Sequence, residues 1–362
     1  MAITRRRFLA ASMLASGVLA ASAAQASSKI PRLGKPGQKL VVATWPNYHS
    51  AENLKQFTEQ TGIAIELRIF GSNEEMMAHL LTGRSGFDIV VATNYAVNAY
   101  GRMGLLRPLR TTHFPNWDEA SQHARFLAEV RSERRYFGLP KNWGTTGFVY
   151  DRRQFVEPPR SWRQFWALAR DKASRHTVIH DYQLTTIGNA LKYFGYSFNS
   201  VKPAELDAAE QLLLSTLPHL KAFSSLAYDQ VRAGAWLSMA WSGDGVLLNR
   251  ENPNWQYVIA EEGGEIWADY FCITRECGQI SAAEAFIDFL LTPTHNAREV
   301  IAHGFPPIDQ RVLPLLPETL RGNVIMFPTE AQLRPLEFGS RETLTHPRRA
   351  DILAKLKAKF AG

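Results

Sequence analysis

Trp267 and Asp269 stand two residues apart in Gly263-Gly-Glu-Ile-Trp-Ala-Asp-Tyr-Phe271. The paired glycines make a turn and a strand pattern follows, so period-two geometry sends both side chains to one face. An indole beside a carboxylate is a receptor for an organic cation. The ring offers quadrupole attraction and apolar cover, and the carboxylate offers full charge and hydrogen-bond acceptors. A strand tryptophan alone is ordinarily core and a neighbouring aspartate ordinarily solvated, so the pair gains meaning from its company. Trp45 and Tyr48 follow the buried-strand pattern at 39–44, and Thr93 and Tyr95 follow Phe87-Asp-Ile-Val-Val-Ala92. Trp241 and Asp244 end the strand pattern at 237–241. One ring at a strand end caps a core; several at equivalent strand ends make a site.

Other chemistry finds less support. His176-x-x-x-His180-Asp181 is the one ligand-like cluster, the mark of an exported metal-dependent enzyme. Its segment reads as a strand, which would place the two histidines on one face but about 13 Å apart. The chain has no Gly-x-Ser-x-Gly, no His-Glu-x-x-His, no P-loop and no dinucleotide fingerprint. Catalysis, a metal and a cofactor are therefore not expected. Cys272 and Cys277 flank a four-residue loop, and in an oxidising compartment either a disulfide or two free thiols is open to them.

The elements that must position these residues alternate between strand and helix. Strands at 39–45, 63–70 and 87–92 are separated by helices at 51–61 and 72–81, a βαβαβ pattern that implies a parallel sheet. In such sheets ligands bind beyond the carboxyl ends of the strands. Ser72 to Glu75 and Ser281 to Glu284 read as capping boxes. Residues 107–135 are polar and irregular, and 138–150 is a crossing segment that becomes a strand. Helices follow from Ser161, from Leu184 and from Pro203, with Trp162 and Trp166 structural. A basic amphipathic helix near 349–360 reads as a solvated face.

At 362 residues with 45% hydrophobic content, the chain is long enough for two domains. The net charge of +7 falls to +4 if Arg5, Arg6 and Arg7 leave with an N-terminal segment, too mild to argue for nucleic acid. Thr4-Arg-Arg-Arg-Phe-Leu9, the weakly apolar run 10–23 and Ala24-Gln-Ala26 read as an export signal of twin-arginine type, residues 1–26. Residues 27–38 read as a flexible leader, and the destination is the periplasm.

Laid out in this order, the chain resembles the periplasmic polyamine-binding proteins of ABC importers, the spermidine/putrescine type. Trp45-Pro-Asn-Tyr48, Gly71-Ser-Asn-Glu74, Phe87 to Tyr95, Trp143-Gly-Thr-Thr146, Trp241-Ser-Gly-Asp244 and Gly263 to Asp269 carry the resemblance. It implies a two-lobed α/β fold of the type II periplasmic-binding-protein class with the ligand in the cleft between lobes. Lobe 1 would be 39–143 plus 268–310, and lobe 2 144–267 plus 311–362. The aromatic box would be Trp45, Tyr48, Tyr95, Trp241 and Trp267, with Asp269 as the central amine-binding acid, Asp244 as a second acid, and Thr93 beside them. Asn47, Asp181, Tyr182, Thr185 and Ser225 are further candidates. Tyr182 and Thr185 stand where spermidine-type members carry acids, and Asn47 where putrescine-type members carry one. Two carboxylates suit a putrescine-like diamine better than spermidine; another small amine or a quaternary ammonium solute is the alternative. The resemblance also implies a monomer that delivers its ligand to an inner-membrane permease.

Overall fold

The computed structural model describes residues 37–132 and 135–361. The export signal read at 1–26 and the leader up to residue 36 lie outside the described residues. The chain opens β1 (Lys39–Thr44), α1 (Ala51–Thr61), β2 (Ala64–Ile69), α2 (Asn73–Leu81), β3 (Ile89–Thr93) and α3 (Asn94–Arg102). β1 pairs in parallel with β2 on one side and β3 on the other, as the βαβαβ pattern implies. Ser50 opens α1 by accepting from the Asn53 N–H. Ser72 caps α2 in the same way, but Glu75 turns to the Gly71 N–H, so the expected reciprocal box is half formed. β2 is an edge strand, which leaves its alternating apolar residues half-buried or, at Ile69, exposed.

Next come β4 (Leu139–Asp151), α4 (Trp162–Arg170), β5 (Thr177–Ile179), α5 (Gln183–Tyr193), α6 (Pro203–Thr216), β6 (Leu220–Phe223) and β7 (Leu237–Trp241). They are followed by α7 (Ser242–Glu251), β8 (Trp255–Val258), β9 (Gly264–Ile273), α8 (Ile280–Leu291), α9 (Pro293–His303), β10 (Leu336–Phe338) and α10 (Pro347–Ala361). Ten strands share one curled sheet in the order β2-β1-β3-β9-β4-β7-β5-β6, with β8 added to β4 and β10 to β9. β9 runs antiparallel to both β3 and β4, and β4 antiparallel to β7. Every residue of β4 and β9 is buried, as expected of strands covered on both faces.

Two large apolar cores flank these two strands. One gathers residues of β1, β3, α1, α3 and α8, with Ile266 to Ile273 of β9. The other gathers α4, α5, α6 and α10 around Phe148 and Tyr150 of β4. The architecture is mixed α/β and two-lobed, and Trp162 and Trp166 are fully enclosed in the second core.

Two local readings need correction. α8 begins at Ile280 with Gln279 at its cap, so Ser281 lies inside the helix, and Glu284 binds His113 instead. The C-terminal helix is more than a solvated face. Arg349 is fully buried and donates to the carbonyls of Leu184 and Ser200, while Arg348 and Lys355 pair with Glu210 of α6. Its guanidinium donors bind backbone carbonyls at the start of α5 and in the loop after it, and this fastens α10 onto α5 and α6. Cys272 and Cys277 are both buried free thiols.

Candidate ligand-binding cleft

Strand register sets the cleft. Thr93 of β3, Asp269 of β9 and Asn142 of β4 are cross-strand partners in one row. Trp267 faces Gly144 in the next. Glu265 faces Thr146, which in turn faces Trp241 of β7, in the third. Residues 265, 267 and 269 share a face because the side-chain period of a strand is two. Where β9 starts decides which face that is. Gly263 fixes it: its φ is +92°, and a Cβ there would lie 2.1 Å from the Pro335 carbonyl oxygen. Gly144 is needed for a different reason, since a Cβ would lie 2.5 Å from the Trp267 indole. Its hydrogen is what lets the ring lie across β4.

These strands and the segments after them open onto one cleft. Trp45, Tyr48, Thr93, Tyr95, Trp241, Asp244, Trp267 and Asp269 all line it, as do Asn47 and Tyr182. Asp181, Thr185 and Ser225 do not. Asp181 accepts from the Ser225 hydroxyl, and Thr185 is buried at the start of α5, bonded to the His180 ring at 3.0 Å. The rings form a continuous wall: Trp267 meets Phe305 edge-on at 5.0 Å, and Phe305 meets Tyr48 at 5.4 Å. On the other side, Trp241 donates its indole N–H to the Tyr182 hydroxyl at 3.2 Å.

Three carboxylates enter this cleft, each with its charge penalised by burial. Asp269 accepts from the Tyr48 hydroxyl at 2.5 Å, and Tyr48 accepts from Asn142 at 2.6 Å. Burial raises its pKa to about 6, against the downward pull of Tyr48, Thr93, Lys141 and Trp45. Asp244 stands in the first turn of α7, where burial lifts it to about 7. Glu265 is 2% exposed and accepts from the Thr146 hydroxyl at 2.6 Å; burial lifts it to about 8. Asp269 Oδ1, Asp244 Oδ2 and the indole nitrogens of Trp45 and Trp267 are enclosed without a hydrogen-bond partner among the described residues. Buried polar atoms are nearly always satisfied, so the cleft stands out for polar atoms that the described residues leave open or weakly bonded.

The comparisons with known proteins follow the same line. The family model for bacterial extracellular solute-binding protein matches residues 52–320. The chain belongs to that family. It is 27% identical to the putrescine-binding periplasmic protein SpuD of Pseudomonas aeruginosa, over 82% of this chain and 85% of that one. It is 28% identical to a spermidine/putrescine-binding periplasmic protein of Salmonella typhimurium, over 86% of this chain and 87% of that one. Among solved structures it resembles the spermidine/putrescine ABC transporter substrate-binding protein PotD of Streptococcus pneumoniae, with a TM-score of 0.71 and 26% identity. That match covers 89% of this chain and 99% of the other. The family is one of solute binding in transport rather than catalysis.

The histidines singled out for a metal have other partners in this solute-binding protein. His176 stacks on Trp236 at 3.7 Å, and His180 packs against Tyr182 and Trp241 behind the cleft, its pKa lowered to about 4 by burial. Glu265, His303 and Phe305 line the cleft but were not singled out from the sequence. Glu265 was legible by the period that selected Trp267 and Asp269, whereas nothing local marks His303 or Phe305. A buried ionic group behind Tyr48 was also not foreseen. Lys141 donates to the Tyr48 carbonyl at 2.9 Å, lies 4.0 Å from the centre of its ring, and reaches Glu299 at 3.6 Å.

Proposed function

We propose that the protein is the periplasmic solute receptor of an ABC importer and that it binds a polyamine in this cleft. The observation that carries the reading is the set of open acceptors on Asp269 and Asp244 within a wall of indole and phenol rings. An alkyl diammonium needs both things at once. Its methylenes gain roughly 0.8 kcal/mol each on burial against the rings. Its ammonium groups gain roughly 0.5–2 kcal/mol from each cation–π contact and supply the hydrogens and charge that the carboxylates lack. Asp269 on β9 and Asp244 on α7 would each hold one end, the arrangement suited to a putrescine-like diamine. Binding involves no covalent step.

Closure of the lobes would bury the ligand and present the closed form to an inner-membrane permease. The hinge would lie at 143/144 and 267/268, where Trp143 pairs with Ala268 and Gly144 with Trp267 across β4 and β9. Export would follow the twin-arginine route, and the receptor would act as a monomer. Isothermal calorimetry with putrescine, spermidine, γ-aminobutyrate, choline and thiamine tests the reading. Micromolar or tighter binding of polyamines, with the other three at least a hundredfold weaker, is expected. Preference for choline or γ-aminobutyrate would refute it.

A further inference from the structure

The diamine expectation rests on two carboxylates, and the cleft has a third. Glu265 lies four residues from Asp269 on the same face of β9, roughly 13 Å along the strand at about 3.3 Å per residue. Between them lies the Trp267 indole, at the position where an alkyl chain joining two ammonium groups would rest. Glu265 also shares a row with Thr146 and Trp241, so a second indole flanks the far end. Thr146 fixes the Glu265 carboxylate by its hydroxyl, and that carboxylate stands beside Trp267, whose indole N–H is 5% exposed in residue terms and unpartnered. The titratable groups facing Glu265 are Asp269 of β9, Glu74 of α2, Tyr95 of α3, Tyr257 of β8 and Tyr182 before α5. All of these are acids or phenols.

We propose that Glu265 is the residue that admits a third ammonium group, so that the cleft takes a triamine laid along β9 from Asp269 over Trp267 as well as a diamine. The proposal rests on the polyamine reading above. A ligand ammonium at Glu265 supplies the positive charge that none of its facing groups brings, and the carboxylate ionises as it arrives. Triamine binding therefore expels a proton that diamine binding leaves in place.

The test is calorimetry on the full chain with putrescine and with spermidine at neutral pH, in two buffers of different ionisation heat. In the native protein spermidine releases more protons than putrescine. In Glu265→Gln the ratio of spermidine to putrescine affinity falls by tenfold or more, and the excess proton release disappears. Glu265→Asp, which keeps the charge and shortens the reach, retains a higher ratio than Glu265→Gln. A ratio that changes less than tenfold in Glu265→Gln overturns the proposal, whether both affinities hold or both fall together. If the native protein binds neither amine, the polyamine reading itself fails, and that outcome is distinct because it needs no variant.

Discussion

Glu299 and Asp269 are equally buried, at 3% exposure each, and both are reached through Tyr48, yet their proton affinities move in opposite directions. Burial pushes both carboxyls up. At Glu299 that push is outweighed by the His49 ring, the Lys141 ammonium and the Asn53 amide, and the pKa falls to about 2. Both its oxygens are occupied: His49 at 3.0 Å on one, the Ser50 N–H at 2.9 Å and the Asn53 amide at 2.8 Å on the other. His49 is itself lowered by burial, so it serves as a neutral ring donating Nδ1–H to an ionised acid. At Asp269 the Tyr48 hydroxyl holds one oxygen, and the further pull of Thr93, Lys141 and Trp45 is too weak to offset burial. The lesson is that depth does not decide protonation; completeness of partners does. The region behind Tyr48 is a finished structural ion cluster, and the region in front of it holds acceptors that the proposed ligand would complete.

The contrast breaks most visibly at Glu299. Replacing it with Gln strips the buried Lys141 of its counter-charge, and destabilisation of about 3–5 kcal/mol is expected in urea unfolding. A loss under 1 kcal/mol would mean the cluster is not structural. Next in size, Trp267→Ala should weaken polyamine binding by about 2 kcal/mol, roughly 30-fold, with titration calorimetry as the readout. Trp241→Phe keeps a ring but weakens its quadrupole, and a loss of about 0.5–1 kcal/mol is expected from the same titration.

Acidity sharpens the comparison without a mutation. The folded-state pKa values of Asp244 and Glu265 lie above their unfolded ones, at about 7 and about 8. In that range the unfolded chain holds fewer protons than the native one, so these groups make the empty protein less stable as pH rises. His49, His180 and His303 are lowered by burial, so near pH 6.5 the unfolded chain binds more protons at these rings than the native one, and the rise of stability with pH that this causes is largely complete by about pH 7. Glu299 is ionised throughout, because its stabilising contribution is lost only as pH falls toward 2. Melting temperatures of the empty protein should therefore decline between about pH 7 and 8, with Lys141, whose pKa burial lowers to about 8, partly offsetting the fall at the upper end, and saturating polyamine should flatten the decline. A rise over that interval would contradict the account.

Much of this was legible in the chain. Strand patterns ending in Trp45-Pro-Asn-Tyr48, Thr93-Asn-Tyr95 and Trp241-Ser-Gly-Asp244 announce an α/β sheet with rings beyond its strand ends, because period and burial are local properties. The partners were not legible. Thr146 and Glu265 are 119 residues apart, and the ion cluster joins Lys141 on β4 to Glu299 on α9. Arg349 reads as surface until the carbonyls of α5 and its following loop are in place around it. Such contacts depend on how remote segments cross, which neither spacing nor composition records.

The central claim is that Asp269 is kept open for a cation rather than for the fold. Thermal melts of the native protein and Asp269→Asn, each with and without putrescine and spermidine, test it directly. The account predicts that the empty variant melts at or above the native temperature while the amine-induced rise is lost. A variant that melts well below the native protein yet still responds to amines would contradict it.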